Sequence, residues 1–317
     1  MNNHFSHKIT TFHDRTLPEK AVLVGYALLI QIIEEHTDTS LPLPNQLAIV
    51  TDKHQRHTTE QWQVFTKRHK PKEDITSHIS FALKYEGINL YLLKRVFQFT
   101  GEETVVNMIT KEPTSQYSRR VWFLYEWLIG EKLDIPDLKT GNYVEIVNPK
   151  IQYPGASINS TRHRIRNNLP GTSEFCPMIR RTEKIERYRG KNFSEVIEKG
   201  LKGRNKELVR RTAAFLLLKD SKASFAIEGE YPPNIRARNW GKAIGQAGKK
   251  ELTIKEIERL QDIVIGPKKL KQMGLREEEG FIGVHDRETF TPIPDHISAK
   301  SEDLKSLMKG LMDTNKL

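Results

Sequence analysis

Ser224 and Glu228 stand four residues apart in "SKASFAIEGE", and Gly229 follows at once. On a helix, residues at that spacing share a face, so a hydroxyl lies one turn before a carboxylate. Gly229 supplies the left-handed conformation in which helices commonly end. An acid is an unfavourable choice at that end, because the macrodipole places partial negative charge at a helix C-terminus and prefers Lys or Arg. Glu228 is therefore either solvated at a small cost or placed to meet a cation. The chemistry these residues suggest is an ion pair between that carboxylate and a cationic partner. Taken alone, the pattern is short and weakly specific, and a helix end with a solvated acid accounts for it more simply.

Other candidates carry less. His54 and His57 are three apart, with no nearby Cys or further acid to complete a metal site. Cys176 precedes Pro177 without an evident His partner and reads as structural. From Arg162 to Lys191 nine Lys/Arg face three Glu, with Tyr188 available for stacking, so this stretch is a candidate nucleic-acid contact. A solvated or interdomain surface is the preferred reading of it. The aromatic cluster Trp122–Trp127 reads as core, and neither a phosphate-binding Walker motif nor a dinucleotide fingerprint occurs.

The elements that must position these residues are mostly helical. "LPEKAVLVGYALLIQIIEEH" is apolar nearly all round and predicts a central helix. Helices are also expected in "EDITSHISFALKYEG", in "LYLLKRVFQFTG" ending at Gly101, and in "SQYSRRVWFLYEWLIG", giving an all-helical domain over residues 1–130. From Glu131 to about Thr182 the periodicity fades into an ordered loop, with a short strand at Tyr143–Val147. Helix resumes in "NFSEVIEKGLKG", in "NKELVRRTAAFLLLKDSKASFAIEG" with a kink near Asp220–Ser221, in "NIRARNWGKAIGQAG", and in "LTIKEIERLQDIVIG" with a capping box of Thr253 and Glu256. Phe281–Val284 and Thr289–Ile293 flank a polar turn and predict a β-hairpin, Pro292 and Pro294 confining the second run to an edge. Ser301 then caps "SEDLKSLMKGLM", whose apolar stripe is Leu304, Leu307, Met308, Leu311 and Met312. That stripe is either buried by earlier helices or covered by chain beyond residue 317, and in the second case self-association is expected.

The totals agree with a two-domain chain of 317 residues. Its formal net charge of +11 points toward nucleic acid, phosphorylated ligands or acidic surfaces without choosing among them. One cysteine excludes an internal disulfide framework. The longest apolar run, Ala21–Ile33, is too short to cross a bilayer. With no export signal, a cytoplasmic location without a membrane partner is expected.

In this order, "SKASFAIEGE", a capped helix, and "GFIGVHDRETFTPIPDHISAKSEDLKSLMKGL" together resemble the Fic family of protein AMP-transferases, specifically members with an autoinhibitory helix N-terminal to the catalytic core. The resemblance is specific over Ser221–Gly310 and looser before it, where 1–191 is similar to the helical N-terminal extension of bacterial members. It implies a mainly α fold: a helical domain at 1–191, irregular and basic at 131–191, then an inhibitory helix, a hairpin flap and the leading part of a Fic-type core at 192–317. It implies transfer of AMP from ATP, with Mg²⁺, to a Ser, Thr or Tyr hydroxyl of a target protein. Ser224, Glu228 and Gly229 would be the inhibitory motif, Glu228 pairing with a catalytic-loop arginine and Ser224 steadying that contact. Phe281, Ile282, Gly283 and Val284, with Thr289, Phe290, Thr291, Pro292 and Ile293, would form the flap that docks the target by strand addition.

The family's catalytic signature, His-x-Phe-x-[Asp/Glu]-Gly-Asn-[Gly/Lys]-Arg, begins at none of the eleven histidines. The histidine that would act as base, the acid that would hold Mg²⁺ and the arginine that Glu228 would meet are therefore not among these residues. The expectation is a chain with no catalytic residues of its own and inactive alone. It would hold regulatory and docking parts that act within a Fic system or inhibit an intact Fic enzyme in trans; nucleic-acid binding through 162–191 is the alternative.

Overall fold

"LAIVT" and "WQVFT" are apolar or β-branched at most positions, and a strand covered on both faces shows such a run instead of alternation. In the computed structural model, which describes residues 9–227, 229, 231, 233–265 and 274–317, both are wholly buried strands. The chain is mainly helical with small sheets and divides into two units, Met1–Arg181 and Thr182–Leu317.

The first unit opens with a hairpin of β1 (Thr11–Phe12) and β2 (Arg15–Thr16). His13 and Asp14 both take positive φ, 47° and 58°, as a two-residue turn of this hand requires. Next come β3 (Val22–Leu23), α1 (Tyr26–His36), β4 (Leu47–Thr51), β5 (His57–Thr58) and β6 (Trp62–Thr66). They form a sheet of order β3-β4-β6-β5, with β4 and β6 parallel and paired Ile49 to Val64. Then follow α2 (Ile75–Phe81), a π turn at Ala82–Glu86, α3 (Leu90–Lys111) and α4 (Gln116–Ile129). Leu29, Trp122, Phe97 and Leu93 share the main core, while Val24, Ala48, Val50, Phe65 and Phe81 form a smaller cluster.

The N-terminal domain is thus mixed α/β, where an all-helical one was expected. Val22 and Leu23 were assigned to the central helix; they pair with Val50 and Ile49 instead, and the helix starts at Tyr26. The helical stretch from Leu90 breaks at Gly101, as expected, at φ 70°, ψ 178°; a second stretch follows directly to Lys111, so α3 is two helices across a kink. Gly130 does end α4, in the left-handed conformation.

The segment after residue 130 is largely irregular, as expected, with β7 (Val144–Glu145) inside the expected strand at Tyr143–Val147; the unexpected strands β8 (Ile158–Ser160) and β9 (Ile165–Asn167) join it in a small sheet of order β7-β9-β8. It is held largely by arginines on backbone carbonyls. Arg119 donates to the Asn142 oxygen at 2.6 Å, Arg120 to Glu145 at 2.8 Å, and Arg162 to Leu133 and Ile135 at 2.6 and 2.8 Å. Arg180 reaches the Glu86 carbonyl. A buried carbonyl without a donor is costly, and the guanidinium fork can serve several at once.

The second unit holds α5 (Glu183–Arg189), α6 (Phe193–Leu201), α7 (Lys206–Ile227), α8 (Asn234–Ile244), α9 (Ile254–Ile265), the strands β10 (Phe281–His285) and β11 (Pro292–Ile297), and α10 (Leu304–Thr314). α7 runs through Asp220–Ser221 as one helix, without the expected kink. The Ser221 hydroxyl donates back to Leu217 at 2.7 Å, a bond available without breaking the helix. Thr253 caps α9 through Glu256 N–H at 3.1 Å, whereas the Glu256 carboxylate bonds Arg259. Ser301 is not the cap of α10: its N–H and hydroxyl both donate to Glu279 at 3.0 Å. The stripe Leu304, Leu307, Met308, Leu311 and Met312 is half-buried throughout.

Candidate functional site

Ser224 lies on the last turn of α7, Gly229 follows that helix, and α7 packs against α8. Ser221 and Phe225 on one helix, and Ala237 and Gly241 on the other, are buried. A Cβ at Gly241 would sit 3.2 Å from the Ser221 hydroxyl, so small residues at this crossing let the two helices approach closely. The Arg236 guanidinium lies over the Phe225 ring at 4.7 Å and donates to the Val264 carbonyl, tying α7 and α8 to the end of α9.

Ser224 is exposed, and its hydroxyl donates to the Asp220 carbonyl at 3.0 Å. That leaves its oxygen able to accept. Gly229 has φ 70°, the left-handed value its position calls for. Glu228 itself lies outside the described residues.

Phe281–His285 and Pro292–Ile297 form a two-stranded hairpin with Val284 paired to Ile293 and a bulge between Ile282 and Gly283. Its second strand starts later than expected. Asp286 accepts from the Glu288 and Thr289 amides at 2.9 and 2.7 Å, and Phe290 N–H bonds the Asp286 carbonyl. Thr289, Phe290 and Thr291 therefore belong to the turn, and the strand is Pro292–Ile297. Phe290 holds φ 57° with its ring 77% exposed, and Ile282 and Val284 are 67% and 62% exposed. A bulky apolar residue in that backbone region is rare and marks a turn under constraint. Gly283 allows the strands to close, since a Cβ there would lie 2.3 Å from the Ile293 carbonyl oxygen. β10 carries no proline and keeps all its N–H donors, while β11 lacks two.

No family model, curated protein or solved structure matches the chain.

The basic stretch is divided in its use. Arg162 and His163 turn inward onto Glu126 of α4, at 2.9 and 3.0 Å. Glu126 also accepts from the Trp122 indole at 2.7 Å and the Leu133 amide at 3.0 Å, and Arg162 stacks over the Trp122 ring at 4.7 Å. Burial alone would raise the Glu126 pKa, but the Arg162, Trp122 and Leu133 donors outweigh it and hold the carboxyl below its usual range. Ser160 Oγ lies 2.7 Å from His163 Nδ1, so hydroxyl, imidazole and carboxylate stand in a row. In a nucleophile relay the imidazole must accept a proton readily. Here burial pushes the His163 pKa down and Arg162 already neutralises the acid, so the row serves as a clasp on α4. Tyr188, by contrast, is exposed, with Lys191 4.7 Å from its ring. Sequence reading missed the clasp because Glu126 lies 36 residues from Arg162 and nothing in either local pattern marks the pair.

Burial raises the Cys176 thiol to about 12, which suits a structural thiol. Among the described residues no three His, Cys, Asp or Glu side chains gather into a metal site, and no helix is long and apolar enough to cross a membrane.

Proposed function

We propose that the second unit supplies the regulatory and target-docking parts of a Fic-type AMP-transfer system. The observation that carries this is the succession of elements: α7 with Ser224 on its last turn and left-handed Gly229 after it, then α8 and α9, then an exposed apolar hairpin followed by α10. Glu228 would project from that helix end to take the arginine that otherwise meets the ATP γ-phosphate. The hairpin would hold an extended segment of the target beside its hydroxyl residue, backbone groups of β10 providing the pairing and Ile282 and Val284 the apolar contact. ATP and Mg²⁺ belong to this chemistry, but the described residues offer no acid cluster to hold the metal, so no chemical step is assigned to them.

The experiment is to add the chain to a separate, active Fic enzyme and follow transfer of labelled AMP to a protein substrate. Transfer falls on addition, and Glu228→Gly abolishes the effect. Unchanged transfer on addition of the wild-type chain would refute the proposal.

A further inference from the structure

The first unit carries a cleft that the proposed function does not use. α2 passes directly into the π turn Ala82–Glu86. Turns of this kind recur at functional sites because the extra residue re-aims the side chains that follow. Here Glu86 goes inward to the Tyr26 N–H, while Lys84 and Tyr85 line a cleft of about 760 Å³. The opposite wall is the half of α3 beyond the Gly101 break, with Thr104, Met108 and Lys111, and Tyr117 of α4 closes one end. The volume lies within the range of small-ligand sites.

Its charge is one-sided. Arg68, Lys72, Lys84 and Lys111 face Asp74 and Glu112. Asp74 is engaged by its own loop: it accepts from the Ser77 amide and the Thr76 hydroxyl, both at 2.7 Å, and from the Ser77 hydroxyl at 2.8 Å. The four cations are exposed and the two tyrosines half-buried, and the Lys84 ammonium lies 4.8 Å over the Tyr85 ring. Cations alone would suit any anion; cations beside aromatic rings suit a phosphate that carries a planar base.

We propose that this cleft binds a nucleotide, with its phosphates on Lys72, Lys84 and Lys111 and its base beside Tyr85 and Tyr117. The nucleotide can be free or part of a single strand. The site is independent of the Fic reading, since neither Glu228 nor the hairpin takes part.

The test measures fluorescence anisotropy of a dye-labelled ATP and a dye-labelled oligo-dT strand, on the whole chain at low salt, with inorganic tripolyphosphate as competitor. The Lys84→Gln/Lys111→Gln double variant changes exposed side chains only, and its circular dichroism should match wild type. Expected are binding of at least one probe, weakening by about tenfold in the double variant, and weaker competition by tripolyphosphate than by ATP. Binding of the strand alone assigns the strand source, with a salt slope lowered by about 1.4 in the variant; binding of ATP alone assigns the free nucleotide. Retention of neither probe, undiminished binding by the variant, or equal competition by tripolyphosphate would overturn the proposal. Trans inhibition should be the same for the double variant and wild type, so this test and the Glu228 test fail separately.

Discussion

Glu86 is the most consequential buried acid of the first unit. Its Oε2 accepts the Tyr26 N–H at 3.0 Å, its Oε1 has no partner, and burial pushes its pKa from 4.5 to about 8, only partly offset by that N–H and by Arg180. The folded state therefore holds a proton that the unfolded chain has released above pH 4.5. Stability from this group is fully present below that value and is lost as pH rises through about 8. The acid limb belongs to histidines: burial lowers His78 to about 4 and also depresses His163, so protonation in the unfolded chain costs stability below about 6.5. Between pH 6.5 and 8 the histidines release only the tail of their titration, regaining about 0.4 kcal/mol each while Glu86 loses stability. At about 1.4 kcal/mol per pH unit, easing near the pKa, the loss across that window is roughly 1.5 kcal/mol. Glu86→Gln keeps the acceptor for Tyr26 and removes the titration. The assay is urea unfolding at pH 6.5, 7.2 and 8, followed by tryptophan fluorescence in a Trp240→Phe background, so that the signal comes from Trp62, Trp122 and Trp127 of the first unit. The wild-type midpoint should fall across the series relative to that of Glu86→Gln, which keeps only the small rise from the histidines. Parallel curves would show that Glu86 is ionised in the folded state and would refute the reasoning.

Two further substitutions probe the same unit. Arg162→Lys removes a fork that bonds Glu126, Asp137 and two carbonyls, and should cost about 2–3 kcal/mol in chemical unfolding although the charge is kept. Gly25→Ala places a Cβ 1.8 Å from Glu86 Oε2 at a residue with φ 59°, and should cost about 2 kcal/mol or more, read as a lowered thermal midpoint.

What the sequence made legible follows physical range. α4 was readable because an apolar face and Gly130 mark its side and stop within one segment. The hairpin was readable from its β-prone runs, but its turn was misjudged because Asp286 captures two amides beyond the point where the apolar pattern resumes. β4 and β6 were not readable, since burial on both faces removes the alternation that identifies a strand. The basic stretch from Arg162 was ambiguous for another reason. A backbone carbonyl carries no sequence signature, so an arginine that serves one looks like an arginine that faces solvent. The helix end before Gly229 was legible as a pattern, and the structure adds the packing that fixes that helix: Gly241 against Ser221 and Phe225 beneath Arg236.

The arginine on the Glu86 carbonyl bears on how the chain acquires its shape. Arg180 reaches back 94 residues, and Gln152 reaches back 64 to bond both backbone groups of Ile88. Contacts that distant make folding slow, because a long loop must close before they form. During synthesis from the N-terminus, the π turn and the start of α3 emerge long before the residues that hold them. Until Arg180 leaves the ribosome, the Glu86 carbonyl lacks that donor, so this set of backbone bonds is completed only once residue 180 has emerged.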